Sequence, residues 1–254
     1  MTLTDAAAQA AIDTACVALR LPTIATHAGA LADQAVRAKH THRAFLAECL
    51  ASEVDARDEK RRIRLTREAR FPRHKLLSEF DTTVSPVPAA SIAHLADGAW
   101  IDNGTPVVLL GDSGTGKSHL LIGAGIAACE AGRRVRYTTA AALANELAEA
   151  ADHHVVSKVI GRYARVDLLC LDELGYLHLD ARGAELLFQI VTEREERAAI
   201  AVASNSPFSE WGTVFTDPRL AAAVVDRITY RAHIIETGTN SYRLAQTKKG
   251  TTTT

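Results

Sequence analysis

The stretch Val107–Leu121, VVLLGDSGTGKSHLL, constrains this fold more than any other part of the chain. An apolar run stops at a glycine. Seven small or polar residues follow, ending in Gly116-Lys117-Ser118, and apolar residues return after His119. The segment fits G-x-x-x-x-G-K-[ST], set after a buried strand and at the opening of a helix. Glycines let such a loop wrap so that several backbone N–H groups point at one anion. The helix N-terminus adds partial positive charge. The pattern therefore predicts a phosphate cradle, with Lys117 reaching the β- and γ-phosphates of a nucleoside triphosphate and the Ser118 hydroxyl ligating Mg2+. The nucleotide-contacting stretch comprises Gly111, Asp112, Ser113, Gly114, Thr115, Gly116, Lys117, Ser118 and the adjoining His119. Asp112 is an unusual acid beside phosphates, and its side chain is expected to face solvent.

The rest of the C-terminal part repeats this alternation of strand and helix. TPVVLL, VRYTTA, VDLLCLDE, AIAVASN and HIIET read as strands, with helical stretches between them. Three of the first four are near-continuous apolar runs, as expected of strands covered on both faces. VRYTTA is more polar and suits an edge. Strand and helix in turn predict an α/β fold with a parallel sheet. On this reading Asp172 ends a buried strand 55 residues after Lys117, where it can hold the metal. Glu173 adjoins it and can orient and deprotonate water. Asn205 ends the fourth strand at the same sheet edge, where an amide can bind that water or the γ-phosphate. Two adjacent acids favour hydrolysis of a nucleoside triphosphate over transfer to a small acceptor, so a small-molecule kinase is the weakest reading.

The N-terminal part differs. Between Leu21 and about Arg70 the only glycine is Gly29 and the only proline Pro22. Leu46, Leu50 and Val54 recur at four-residue spacing, an apolar helix face. Then comes KRRIRLTREARFPRHK, Lys60 to Lys75, with eight basic residues against one acid, Glu68. On a helix Lys60, Arg64 and Arg67 share one face, with Arg61 beside it. Such a stripe suits the phosphate backbone of duplex DNA without base reading. Pro72 marks the helix end, and TTVSPVPAAS reads as a linker. The division falls near residue 80: a helical DNA-binding and assembly region over 1–80 and an ATPase domain over 81–254. Net charge is only −1, so the chain as a whole is not a basic nucleic-acid coat. The four cysteines form no CxxC pair and read as buried thiols of a reducing compartment. No apolar run approaches the length of a membrane span, so a soluble cytoplasmic protein is expected.

Taken together, GDSGTGKSHL, LLCLDELGYL, ASNSPFSEW and LAAAVVDRI…SYRL resemble the IstB-like ATPases, helper proteins of bacterial insertion sequences, close to the DnaC helicase loaders within the AAA+ class. The N-terminal FLAECLASEVDARDEKRRIRLTREARFPRHKLLSEFD resembles that family's helical, DNA-engaging region. The resemblance implies a five-stranded AAA+ sheet with the phosphate-loop strand beside the Asn205 strand; the chain departs from many AAA+ proteins in that only 27 residues follow Arg227, so no C-terminal helical lid is expected. It implies Gly111–Ser118 as Walker A, Asp172 and Glu173 as Walker B, and Asn205 as sensor one. It implies Arg227 as an arginine finger reaching a neighbouring subunit; read locally, Arg227 is a helix-end cation paired with Asp226 or Glu236. ATP and Mg2+ are the implied cofactors. Duplex DNA, a transposase and an ATP-dependent homo-oligomer are the implied partners. The alternative is a helicase loader whose N-terminal segment grips another protein. Phe80 and Ser241–Arg243 are candidates for the adenine pocket.

Overall fold

The computed structural model describes residues 4–176, 179–215 and 217–242. The chain divides into two compact units, residues 1–63 and 64–254.

The first unit is helical. α1 (Asp5–Leu19) is capped by the Thr4 hydroxyl and closed by Arg20 in the left-handed conformation. α2 (Pro22–Arg37) begins at a proline and has no side-chain cap of its own. Its orphan N–H groups are met from a distance: Thr23 and Ile24 donate to Glu53 Oε2 at 2.8 and 3.1 Å. Glu53 lies on α3 (His42–Ala69), a continuous 28-residue helix. Glu53 is buried and also accepts from Arg57 Nε at 2.9 Å. This polar anchor lies on the inward face of α3. Cys49 and Glu53 face inward, while the expected apolar stripe of Leu46, Leu50 and Val54 stands 58%, 50% and 56% exposed.

The second unit begins inside α3, where Leu65 and Ala69 are buried in the core of the sheet. Residues 64–80 thus pack with the sheet, whereas the sequence places them with the helical region. A short 3-10 turn (Leu77–Glu79) follows, then α4 (Ala89–Asp97), α5 (Ala99–Asp102), β1 (Val107–Leu110) and α6 (Lys117–Glu130). β2 (Val135–Thr139) leads to α7 (Ala140–Asp152), α8 (Val156–Ala164) and β3 (Leu168–Asp172). α9 (Ala181–Arg194), β4 (Ala199–Ser204), α10 (Trp211–Val214), α11 (Pro218–Thr229) and β5 (His233–Glu236) complete the α-helices and strands among the described residues, with further 3-10 turns at Leu174–Tyr176 and Phe208–Glu210.

The strands form one parallel five-stranded sheet in the order β2-β3-β4-β1-β5. β1 therefore lies beside β4, and the more polar β2 is an edge. β3 and β4 are buried along their whole length, which is why they read as unbroken apolar runs. One face is covered by α4, α5, α6 and the end of α3, the other by α7 to α11. Arg194, at the end of α9, is buried and donates to the carbonyls of Tyr163, Val166 and Ala199. It thereby ties the amino-terminal ends of β3 and β4. Burial pulls its pKa down to about 10, so it stays charged at neutral pH. The expectation that no helical lid follows concerns residues 243–254, outside the described residues.

Candidate nucleotide site

Parallel pairing brings the carboxyl ends of β1, β3 and β4 to one edge. Leu110 pairs with Ser204 and Leu171 with Val202, so Gly111 and Asn205 leave their strands at one level, while Asp172, the last residue of β3, lies about two residues short of it at the same edge. Ligands of open parallel sheets bind at such an edge.

The loop from Gly111 to Gly116 is held by its own atoms. Thr115 Oγ1 donates to the Asp112 carbonyl at 2.8 Å and lies 2.6 Å from Thr237 Oγ1. Thr237, just past β5, reaches the Leu110 carbonyl at 3.1 Å. Thr115 and Thr237 are both buried, so this hydroxyl pair bolts the loop to the β5 end. Lys117 Nζ rests 2.6 and 2.7 Å from the Gly111 and Asp112 carbonyls, folded over the loop. Asp112 is exposed, as expected of an acid beside phosphates.

A cleft of about 360 Å³ opens at the start of α6, lined by Gly114 to His119 of the loop. Its far wall is Arg73, Lys75, Phe80 and Tyr242. Gly116 has φ +100, and a β-carbon there would meet the Phe80 ring at 2.6 Å; only glycine permits that close approach. His119 turns away from the loop. Its Nε2 lies 2.8 Å from the Leu76 carbonyl, and its ring meets Phe80 edge-on at 5.5 Å. Phe80 and Tyr242 thus flank the cleft; Arg243 lies outside the described residues. Arg73 and Lys75 are the last basic residues of the run that begins at Lys60, beyond the helix end expected at Pro72. They line this cleft because α3 ends at Ala69, ahead of Pro72, and the chain turns back toward the loop.

Asp172 is buried at the end of β3. Its Oδ1 accepts the Glu173 N–H at 2.9 Å, and its Oδ2 accepts the Tyr137 hydroxyl at 2.7 Å. Burial first, then this hydrogen bond, push the phenol well above the ordinary tyrosine range, so it remains a donor. Each carboxylate oxygen keeps a further lone-pair site for a water of a Mg2+ shell. This donor set, together with the Ser118 hydroxyl at the start of α6, fits a hard cation held partly through water. Glu173 takes a left-handed φ of +61 and is exposed. Asn205 Oδ1 is buried with no hydrogen-bond partner among the described residues. It abuts Gly175, where any side chain would meet it at 2.3 Å. An orphaned amide oxygen at this edge is an acceptor waiting for a donor such as water. Sequence reasoning missed Tyr137 and Thr237; neither belongs to a motif, and both act through cross-strand geometry.

Arg227 is not at this edge. It sits near the end of α11 in a second cleft of about 510 Å³, lined also by Pro106, Ala198, Glu195 and Tyr230. Pro106 and Ala198 precede β1 and β4, so this cleft is at the amino-terminal edge of the sheet. Lys60, Arg61, Arg64 and Arg67 all lie on α3 and are exposed. Glu68 lies 3.9 Å from Arg64, and Glu59 pairs with Arg62 at 2.8 Å, so acids offset part of the stripe.

A sequence model of the IstB-like ATP binding protein family matches residues 14–250. The chain belongs to that family. An IS21 insertion-sequence ATP-binding protein of Pseudomonas aeruginosa is 32% identical over 232 residues, covering 91% of this chain and 88% of that one. An insertion-sequence ATP-binding protein of Sinorhizobium fredii is 36% identical over 227 residues, covering 89% and 76%. Among solved structures, the replication initiator DnaA bound to AMPPCP and single-stranded DNA has a TM-score of 0.54 at 23% identity, covering 70% of this chain and 54% of that one. The DnaC helicase loader has a TM-score of 0.50 at 15% identity, covering 68% and 98%. These two likenesses show the fold: an AAA+ sheet of the DnaA and DnaC kind, preceded by helices. This IstB-like chain is thus an ATP-binding AAA+ protein of the insertion-sequence type. No helix among the described residues is long and apolar enough to cross a membrane.

Proposed function

We propose that this chain is a Mg2+-dependent ATPase that assembles through ATP-bound subunits on duplex DNA and directs a transposase to that DNA. In this reading Lys117 leaves the loop carbonyls for the β- and γ-phosphates, and the N-terminus of α6 holds the phosphate chain. Ser118 and Asp172 would hold Mg2+, which would neutralise charge on the phosphates. Glu173 takes the proton of the attacking water. Asn205 orients that water through its unpartnered oxygen.

The observation that carries the assembly is the placement of Arg227. Pro106, which shares its cleft, and Gly111, at the phosphate loop, are five residues apart along one strand, or roughly 16 Å at ~3.3 Å per residue. Arg227 cannot serve the loop of its own chain. It suits the γ-phosphate bound to a neighbouring copy, so that hydrolysis requires assembly. The basic stripe on α3 supports DNA as the surface for assembly, and the insertion-sequence names of the relatives support a transposase as the client. The test is steady-state ATPase activity against protein concentration, with and without long duplex DNA. A rate per subunit that rises steeply with concentration and is increased by duplex supports the reading. A rate per subunit independent of both refutes it.

A further inference from the structure

We propose that Tyr137 is a positioning residue for the metal site: its hydroxyl fixes the carboxylate of Asp172 so that the lone pairs left on that group point toward the cation. The inference rests on the reading that Asp172 serves Mg2+, and concerns a residue outside the motif.

The geometry is specific. Tyr137 is on the edge strand β2, paired with Cys170 of β3; Asp172 is paired with Thr139, two places further on. Side chains two apart share a face of a sheet, so Tyr137 reaches Asp172 along a cross-strand diagonal. The 2.7 Å bond is buried, with Tyr137 8% and Asp172 3% exposed. The ring itself is braced by Phe71, whose centroid lies 6.0 Å away at an interplanar angle of 58°. Asp172 is therefore clamped on both oxygens, by its own neighbour's amide on one and by a braced phenol on the other. A carboxylate so held cannot rotate about its terminal torsion without breaking a buried hydrogen bond. Partners that orient a ligand in this way are typically worth ~10–100-fold in metal affinity.

The test uses Mn2+ as probe, its binding to the full chain with a non-hydrolysable ATP analogue being read by electron paramagnetic resonance. Nucleotide affinity is measured separately in EDTA. For Tyr137→Phe we expect Mn2+ affinity to fall about 10–100-fold while nucleotide affinity in EDTA is unchanged. Asp172→Asn is run in parallel, and Tyr137→Phe should add little further loss in that background, because both changes act on one group. Mn2+ affinity equal to wild type in Tyr137→Phe overturns the inference, whatever happens to thermal stability. If Asp172→Asn also leaves Mn2+ affinity intact, the reading of Asp172 as a metal anchor has failed instead. Should Tyr137→Phe not fold, Tyr137→His replaces it. Its shorter ring lacks the reaching hydroxyl, and the same comparison decides.

Discussion

Arg227 Nε lies 3.0 Å from Glu195 Oε2, and the Arg227 guanidinium stacks over the Phe188 ring at 4.6 Å. The pair is a charge contact without hydrogen-bond alignment, and both side chains are only partly buried. Neither Asp226 nor Glu236, the acids nearest in sequence, is the partner. Such a pair contributes at most about 1 kcal/mol to folding. It holds Arg227 in place at the amino-terminal edge without consuming much stability if the arginine exchanges Glu195 for a phosphate.

Arg227→Ala should therefore leave a folded chain that binds ATP with near-normal affinity. Hydrolysis should fall by ~10³-fold or more, the scale of arginine fingers in other phosphate-loop enzymes. Mixing Arg227→Ala with Glu173→Gln subunits should restore part of the activity, because some interfaces then join an intact finger to an intact base. ATPase titrations of the mixture measure this. Full activity in an Arg227→Ala protein shown by light scattering to be monomeric would falsify the intersubunit role.

Glu173→Gln keeps Lys117, Ser118 and Asp172, so ATP and Mg2+ should still bind. Turnover should drop about 10²–10⁴-fold, the usual worth of a placed base. Lys117→Ala should instead lose nucleotide binding. Fluorescent-nucleotide titration and phosphate release separate the two effects. Near-wild-type turnover without Glu173 would assign the base elsewhere.

Changing Arg61, Arg64 and Arg67 to Glu should abolish duplex binding and leave the sheet folded, since all three are exposed. Binding by the unaltered chain should weaken with salt at a log–log slope of roughly −0.9 per phosphate neutralised, with little sequence preference. Filter binding or fluorescence anisotropy at several salt concentrations gives the slope. Equal binding by the triple variant would reduce the stripe to a solvated surface.

Glu53 provides a pH test. Burial raises its pKa, but the Arg57 hydrogen bond and the Ile24 and Thr23 amides outweigh that, and the net shift is downward. A carboxyl held below its unfolded value of about 4.3 stabilises the fold above that pH and loses the effect as pH falls through the folded value. Glu53→Gln should thus lower the melting temperature at pH 7 and have progressively less effect toward pH 3. Circular dichroism melts of both proteins across that range check it. A gap independent of pH would mean that Glu53 acts only by its shape.

Much of this protein was legible in one dimension. The loop from Gly111 to Ser118, Asp172 with Glu173, and the strand ending at Asn205 were readable because each is a local pattern whose meaning follows from strand and helix periods. The resemblance added the strand order, which a lone sequence pattern leaves open among several arrangements. Relations between residues far apart were not legible. Glu53 caps a helix that begins 31 residues before it, and the face of α3 that turns inward carries Cys49 and Glu53 and leaves Leu46, Leu50 and Val54 exposed. The break in the basic run at Pro72 was legible, but not where its last residues go: the part on α3 is an exposed stripe, while Arg73 and Lys75 line the cleft beside the Gly111–Gly116 loop. Tyr137 meets Asp172 only because β2 pairs with β3 in one register; a slip of one residue would turn its ring to the opposite face. Sequence alone determined which chemical groups sit at strand ends and loops, since backbone periodicity is local. Tertiary structure decided their partners, because hydrogen bonds and ion pairs are satisfied by whatever the fold brings within about 3 Å.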